Sequence, residues 1–181
     1  MNIPNLITLG RLLSVPITAW LMIVDQHDWA FALFLAAGAS DAIDGFIAKR
    51  FHLSSRLGGY LDALADKALL VCVYVILASQ GGLPKWIAIL VVSRDVLIIG
   101  GWLLSFATSL PINMRPLTIS KVNTGAQMVL AAAALARMGY GVDFGQVLVT
   151  LIYAVGLTTV ASGAFYVVHW ARVAGKAEEG K

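Results

Sequence analysis

The sequence predicts an all-α membrane protein with six transmembrane helices, and three observations lead to this fold class. Of 181 residues, 59% are hydrophobic and 13% are charged, whereas soluble domains average about 45–50% and about 25%. The mean hydropathy is +0.82. The apolar residues also fall into six runs of about 20 residues, the length that crosses a bilayer. Six spans leave no room for a soluble domain, so any functional site must be built from the spans and their ends.

The first half of the chain holds three of these spans, separated by charged and turn-forming residues. The six spans are predicted at residues 4–24, 29–48, 60–80, 84–107, 122–139 and 146–171. The first basic residue of span 1 is Arg11, so we expect a membrane helix there and not a cleaved signal peptide, which begins with a basic region. Pro16 predicts a kink in that helix. Span 2 follows the polar turn 25–28 and ends just before Lys49.

Span 3 contains Cys72, the single cysteine of the sequence. One cysteine excludes an intrachain disulfide and a cysteine metal cage. The turn 80–84 precedes span 4, and a longer loop with two prolines, residues 109–121, precedes span 5. Span 6 ends before a polar stretch. We therefore expect one membrane domain, residues 1–172, and a polar cytoplasmic tail, residues 173–181.

Basic residues predict the orientation, because Lys and Arg accumulate on the cytoplasmic side of a membrane. Only Lys85 and Arg137 lie on the side away from the termini. Nine others lie on the side of both termini: Arg11, Lys49, Arg50, Arg56, Arg115, Lys121, Arg172, Lys176 and Lys181. Both termini are thus predicted to be cytoplasmic, in a multi-pass protein of the cell membrane. The net charge of +3 then indicates a basic rim beside anionic lipids and not nucleic-acid binding.

Acidic residues near the ends of spans are costly in a membrane, and they indicate function. Four of them lie toward the predicted cytoplasmic side: Asp41 and Asp44 in span 2, and Asp62 and Asp66 in span 3. Helix positions three or four apart share a face, so each pair projects as a unit. A short connection between the two spans would bring all four carboxylates to one pocket.

Four carboxylates at close range in a desolvated pocket cannot all ionise unaided, because repulsion and burial both raise their pKa values. A hard divalent cation removes this difficulty, and oxygen ligands suit Mg²⁺ or Mn²⁺. Lys49, Arg50 and Arg56 flank the carboxylates and are suited to hold phosphate oxygens. The residues alone also leave open the alternative that these aspartates are ordinary charges at span ends.

The same stretch carries a family signature. The segments Asp41-Ala-Ile-Asp-Gly-Phe-Ile-Ala48 and Gly58-Gly-Tyr-Leu-Asp-Ala-Leu-Ala-Asp66 resemble the motif D-x-x-D-G-x-x-A-R, eight residues, G-x-x-x-D-x-x-x-D. This motif is typical of the CDP-alcohol phosphatidyltransferases, and the resemblance extends to the six-span plan. The usual arginine after the alanine is replaced here by Lys49, with Arg50 next. Arginine and lysine are not equivalent at a bidentate phosphate site. Either Lys49 acts there as a point charge, or Arg50 takes the role from a different angle.

The resemblance implies a reaction and a set of site residues. Asp41, Asp44 and Asp62 would be metal ligands, with Asp66 both near the metals and acting as general base. Gly45, Ala48, Lys49 and Gly58 would line the site for the donor CDP-diacylglycerol. The resemblance further implies two divalent ions, Mg²⁺ or Mn²⁺, and a homodimer.

The acceptor is predicted from weaker signals. The opening residues 1–8 with Arg11 and the stretch 65–67 are similar to the branch that contains CMP-forming cardiolipin synthases and phosphatidylglycerophosphate synthases. The stretches 93–96 and 119–124 are more similar to the cardiolipin synthases. Phosphatidylglycerol is therefore the expected acceptor, with glycerol 3-phosphate as the alternative. The predicted headgroup contacts are Asn5, Thr8 and Arg11, the first two for the donor, and the predicted acceptor contacts are Arg94, Lys121 and Arg115.

Each of these assignments has an alternative. Arg94 is also placed to pair with Asp95, and Lys121 to extend toward the membrane surface as an orientation signal. A small cation transporter would also use intramembrane carboxylates, although its acids should be spread across the membrane depth. A non-catalytic membrane scaffold gives no reason for the complete motif.

Overall fold

The protein is described by a computed structural model. It describes the backbone of residues 3–51, 56–107 and 118–179, and the side chains of residues 9–40, 64–101, 119–168 and 170–171. These residues form six α-helices and no strand. The helices are α1 Ile3–Ile23, α2 His27–Phe51, α3 Arg56–Ser79, α4 Lys85–Ala107, α5 Thr118–Tyr140 and α6 Gly145–Glu179. The predicted all-α fold with six helices is confirmed.

Several helices are longer than the apolar runs that predicted them. α2 continues to Phe51 and α3 begins at Arg56, so only residues 52–55 separate them. α6 continues to Glu179 through an Ala-, Lys- and Glu-containing stretch. These residues are strong helix formers, so the helix does not stop where the hydrophobic pattern stops.

The helices alternate in direction. Gln80 Nε2 donates a hydrogen bond of 2.7 Å to the backbone oxygen of Met22, which joins the C-terminal end of α1 to that of α3. Arg11 contacts Asp66 nearer the N-terminal ends of the same two helices. α1 and α3 are therefore parallel, and α2 runs back between two short connections. The helix contacts form a ring in the order α1, α2, α5, α6, α4, α3, with α3 also packing on α5 across it.

The core lies where α3 and α5 cross the ring. Val73 and Leu77 of α3 and Leu130 of α5 are completely buried. Gly139 lets α5 approach α2 closely, because a Cβ atom there would lie 2.6 Å from the backbone nitrogen of Asp28. This packing fixes the depth at which the polar side chains of α3 and α5 face the interior.

The outer surface is apolar over much of its area. Large hydrophobic side chains such as Ile89, Tyr153 and Leu157 are exposed. By length and hydropathy, one segment of the described residues, Gly145–Val168, meets the test for a membrane span, with a mean hydropathy of 1.8. α1 has a shorter apolar stretch, Leu9–Ile23. The six-helix architecture is thus established, and membrane crossing by all six helices stays a prediction.

Candidate active site

The two predicted carboxylate pairs lie on α2 and α3. Asp41 and Asp44 fall three positions apart in α2, and Asp62 and Asp66 fall four apart in α3. Each pair therefore shares one helix face. Because the connection between Phe51 and Arg56 can span at most about 18 Å, the C-terminal end of α2 and the N-terminal end of α3 lie at the same end of the bundle. Both helices pack on α1 and on α5. Of the four, only the Asp66 side chain is among those described.

The other predicted donor residues lie at this same end. Gly45, Ala48 and Lys49 belong to the C-terminal part of α2, and Gly58 to the first turn of α3. Asn5 and Thr8 belong to the first half of α1, which runs parallel to α3. The side chains of these residues are outside the described set, so their roles stay predictions, as does that of Arg115, which lies outside the described residues altogether.

Asp66 is held by a buried arginine. Arg11 Nη1 donates to Asp66 Oδ1 over 2.7 Å, with the arginine side chain 1% and the aspartate side chain 22% exposed. Ser14 Oγ donates to the Arg11 backbone oxygen at 2.6 Å. The charge pattern alone placed Arg11 on the cytoplasmic rim. In the structure it is inside the bundle, where the pairing orients one carboxylate oxygen and leaves part of Asp66 accessible.

Another carboxylate, the buried Asp95 of α4, joins two cations. Its Oδ1 accepts a hydrogen bond of 2.8 Å from Lys67 Nζ and one of 2.6 Å from Arg94 Nη1. Asp95 is almost fully buried, whereas the Lys67 side chain is 25% exposed. Lys67 follows Asp66 directly, so α3 directs one charged side chain toward α1 and the next toward α4. We call Lys67, Arg94 and Asp95 the ionic triad.

Arg94 acts as a buried clamp between three helices. Beyond Asp95, its guanidinium donates to Ser162 of α6, at 3.3 Å from Nε and 2.8 Å from Nη2, and to the hydroxyl of Ser120 of α5. The pairing with Asp95, one of the two readings of the sequence, is therefore present. A direct contact between Arg94 and the acceptor stays a prediction. Lys121, the residue after Ser120, is exposed at the start of α5.

A hydrogen-bonded polar network continues from this clamp into the core. Asn123 Oδ1 accepts from the hydroxyls of Thr158, at 2.8 Å, and Thr159, at 2.9 Å. Gln127 Nε2 donates to Thr159 Oγ1 at 3.4 Å, and the Tyr74 hydroxyl donates to the Gln127 backbone oxygen at 3.0 Å. These bonds tie α3, α5 and α6 together. They fix the register of α3, which carries Lys67, against α5 and α6, whose serines bind Arg94.

Sequence reasoning named Arg94 and its pairing with Asp95, but it left Lys67 and the polar network unassigned. One signal was available, because Lys67 and Asp95 are charges of opposite sign inside apolar runs, and such charges pair with one another. Their partnership depends on the rotation of α3 against α4, which the order of residues does not specify.

Among the described side chains, the ionic triad favours an anionic ligand. It carries two positive charges and one negative charge. A surplus positive charge in an apolar bundle is costly unless it is paired. Adjacent positions of α3 thus carry a partly exposed carboxylate, Asp66, and a partly exposed cation, Lys67. This combination suits a phosphate substrate with a hydroxyl to deprotonate.

The predicted metal site depends on the carboxylates of α2 and α3. Among the described side chains, no group of three or more His, Cys, Asp or Glu residues comes together. The four-aspartate set includes three side chains outside that range. Its chemistry fits, because carboxylate oxygens on two helix ends are the donors that Mg²⁺ and Mn²⁺ take, and because Asp66 keeps part of its carboxylate exposed.

These features agree with the comparison to known families. The sequence matches the model of the CDP-alcohol phosphatidyltransferase family over residues 1–172. The match covers more than half of the chain, and the chain belongs to this family.

Curated relatives of the chain carry two kinds of name. A chloroplastic CDP-diacylglycerol--glycerol-3-phosphate 3-phosphatidyltransferase 1 of Oryza sativa subsp. japonica is 35% identical, over 96% of this chain and 58% of the relative. A cardiolipin synthase (CMP-forming) of Rattus norvegicus is 31% identical, over 99% and 65%. A CDP-diacylglycerol--glycerol-3-phosphate 3-phosphatidyltransferase of Bacillus subtilis (strain 168) is 30% identical, over 74% and 76%. The chain thus spans less than two thirds of the rice and rat proteins.

Proposed function

We propose that the protein transfers a phosphatidyl group from CDP-diacylglycerol to a hydroxyl of phosphatidylglycerol, which gives cardiolipin and CMP. The observation that carries this proposal is the partly exposed carboxylate of Asp66, the last aspartate of the family motif. Asp66 lies in α3 and is hydrogen-bonded to Arg11 of α1. A group that takes a proton must be reachable by its substrate and fixed in orientation. Asp66 meets both conditions.

The proposed reaction is a displacement at phosphorus. The acceptor hydroxyl oxygen attacks the phosphorus that bears the diacylglycerol, and its proton passes to Asp66. The bond from that phosphorus to the bridging oxygen of CMP breaks, and CMP leaves with the electron pair. Arg11 Nη1 donates to Asp66 Oδ1 over 2.7 Å, which orients the carboxylate that is proposed to receive the proton.

The metal site is proposed to consist of the four motif carboxylates, Asp41, Asp44, Asp62 and Asp66. The metal would be Mg²⁺ or Mn²⁺, and the family resemblance implies two ions. Such a cation, when bound, neutralises charge on the diphosphate and on the leaving phosphate. Gly45, Ala48, Lys49 and Gly58 are proposed to line the donor site, with Asn5 and Thr8 near the headgroup.

A membrane location follows from the surface and from the substrate. The exposed apolar side chains on the helices suit contact with lipid tails. The donor is itself a lipid, so a site at one end of a bundle can receive its headgroup while the tails stay in the bilayer. We propose that all six helices cross the cell membrane with the site and both termini on the cytoplasmic side, in a homodimer.

Glycerol 3-phosphate is the second candidate acceptor. The names of the rice and Bacillus relatives specify that substrate, whereas the rat relative is named for cardiolipin. Both acceptors carry a phosphate, so the surplus charge of the ionic triad suits either. Lys121 and Arg115 are proposed to support acceptor binding from the start of α5 and the preceding residues.

Product identification decides between the two acceptors. The purified full chain is given labelled CDP-diacylglycerol, Mg²⁺ and each acceptor separately, and the lipid product is identified by mass spectrometry. We expect cardiolipin from phosphatidylglycerol. If phosphatidylglycerophosphate is the only product, the acceptor is glycerol 3-phosphate and not phosphatidylglycerol. If neither acceptor gives a lipid product, the proposed function is wrong.

The role of Asp66 is tested by substitution. Asp66→Asn keeps the shape of the side chain and removes its basicity, so we expect CMP release to fall by about 10²-fold or more. Asp25→Asn is the matched control, since Asp25 lies in the turn at the other end of the bundle and is 84% exposed. Undiminished turnover by Asp66→Asn would refute the assignment.

A further inference from the structure

We infer that Lys67, positioned by the buried Asp95, is the residue that binds the phosphate of the acceptor. The inference rests on the proposed function and adds a substrate contact to it. It follows from three observations: the net charge of the ionic triad, the difference in exposure between its two cations, and the direction in which α3 presents Lys67.

The first observation is that the triad has one more positive than negative charge. Lys67 Nζ and Arg94 Nη1 both donate to the same oxygen of Asp95, at 2.8 and 2.6 Å. One carboxylate cannot neutralise two cations. In an apolar bundle the remaining charge is stabilised when an anion binds.

The second observation is that the two cations differ in what they can still bind. The guanidinium of Arg94 is buried, and Nε, Nη1 and Nη2 all donate within the bundle, to Asp95, Ser162 and Ser120. The ammonium of Lys67 has three N–H groups, and its bond to Asp95 uses one. Its side chain is 25% exposed, so two N–H groups remain to bind a phosphate oxygen.

The third observation concerns position. Lys67 adjoins Asp66 in α3, but its side chain lies toward α4, whereas Asp66 lies toward α1. The proposed donor residues of the motif lie on α2 and the first turns of α3. A phosphate bound by Lys67 would therefore be separate from the donor diphosphate, with its hydroxyl-bearing glycerol toward Asp66. This arrangement favours the acceptor over the donor as the anion.

Asp95 and Arg94 have a positioning role in this account. Asp95 draws the flexible Lys67 side chain into one orientation, and Arg94 fixes Asp95 through its bonds to α5 and α6. A lysine that is already oriented loses less side-chain entropy when it binds. Lys67→Gln removes the exposed positive charge, and Asp95 keeps its bond to Arg94 in this variant.

The test measures turnover and binding in parallel. Purified full chain in mixed micelles receives saturating CDP-diacylglycerol, and CMP release is followed as phosphatidylglycerol or glycerol 3-phosphate is varied. For Lys67→Gln we expect the KM of the acceptor to rise about tenfold or more, because a charged hydrogen bond is lost. The donor KM and kcat should change by less than about twofold. Lys67→Arg should restore much of the acceptor affinity, and Lys85→Gln, an exposed lysine at the far end of α4, should behave as wild type.

The binding arm uses glycerol 3-phosphate without donor and records the midpoint of thermal unfolding. We expect the wild type to be stabilised and Lys67→Gln not to be. Equal acceptor KM values and equal stabilisation in both proteins would overturn the role of Lys67, as would a rise confined to the donor KM. Lysine-dependent stabilisation without any CMP release would instead refute the proposed function and retain the phosphate site. Absence of both stabilisation and turnover in the wild type would refute both.

Discussion

Replacing Asp95 by Asn is expected to destabilise the fold strongly, although the two side chains have nearly the same shape. Asp95 is almost completely buried and accepts two charge-assisted hydrogen bonds on one oxygen. The amide can still accept from one donor, but the charge that balances Arg94 and Lys67 is lost. Arg94 is buried as well, so its guanidinium would remain in the interior without a counter-ion.

The size of the effect follows from this burial. Removing one partner of a buried ion pair costs about 3–5 kcal/mol. Because Asn keeps one acceptor and Arg94 keeps its serine partners, we take the lower limit, about 3 kcal/mol. In a domain of 150–250 residues each kcal/mol lowers Tm by about 2–4 °C, so the expected loss is about 6–12 °C.

The assay is thermal unfolding of the purified full chain in detergent, followed by near-ultraviolet circular dichroism. Asp25→Asn is the control with the same chemical change. Asp25 has a φ of 60°, which Asn also tolerates, and its exposed carboxylate should contribute less than about 0.5 kcal/mol. If Asp95→Asn unfolds within about 2 °C of the wild type, the ionic triad does not stabilise the bundle and the physical account of α4 is wrong.

Two further predictions concern helix packing. Gly139→Ala should lower the free energy of unfolding by about 1–3 kcal/mol, because its Cβ would lie 2.6 Å from the Asp28 backbone nitrogen. Gly125→Ala, whose Cβ would have nothing within 4 Å, should raise it by up to about 1 kcal/mol. Unfolding midpoints in the reverse order would contradict the α2–α5 contact. Tyr74→Phe removes a buried hydroxyl that donates to Gln127 at 3.0 Å and should cost about 1 kcal/mol. Tyr153→Phe, at an exposed position, should be neutral, and equal midpoints for the two Phe variants would show that the buried bond adds nothing.

Hydropathy predicted the six helices well, because each helix needs a long run of apolar side chains to pack in the core or to contact lipid. The same signal failed at the ends, where α2 passes Lys49 to Phe51 and α6 passes Arg172 to Glu179. Backbone hydrogen bonding and helix propensity continue a helix through polar residues, so the end of an apolar run does not fix the end of a helix.

Motif spacing predicted which end of the bundle carries the candidate site. The spacing placed Asp66 at that end, but it did not predict the pairing of Asp66 with Arg11, which lies 55 residues away in sequence. In the same way Arg94 looked like an accessible cation, because a sequence does not distinguish a buried guanidinium from an exposed one. The bonds to Ser120 and Ser162 depend on packing between three helices, and only the fold reveals them.

The central claim is that the chain transfers a phosphatidyl group with carboxylate-held divalent ions at the end of α2 and α3. The most direct measurement is CMP release from CDP-diacylglycerol by the purified full chain, with phosphatidylglycerol or glycerol 3-phosphate present. Release should require an acceptor, stop with EDTA and return when excess Mg²⁺ or Mn²⁺ is added. CMP release that is absent with both acceptors, or that continues undiminished in EDTA, would contradict the account.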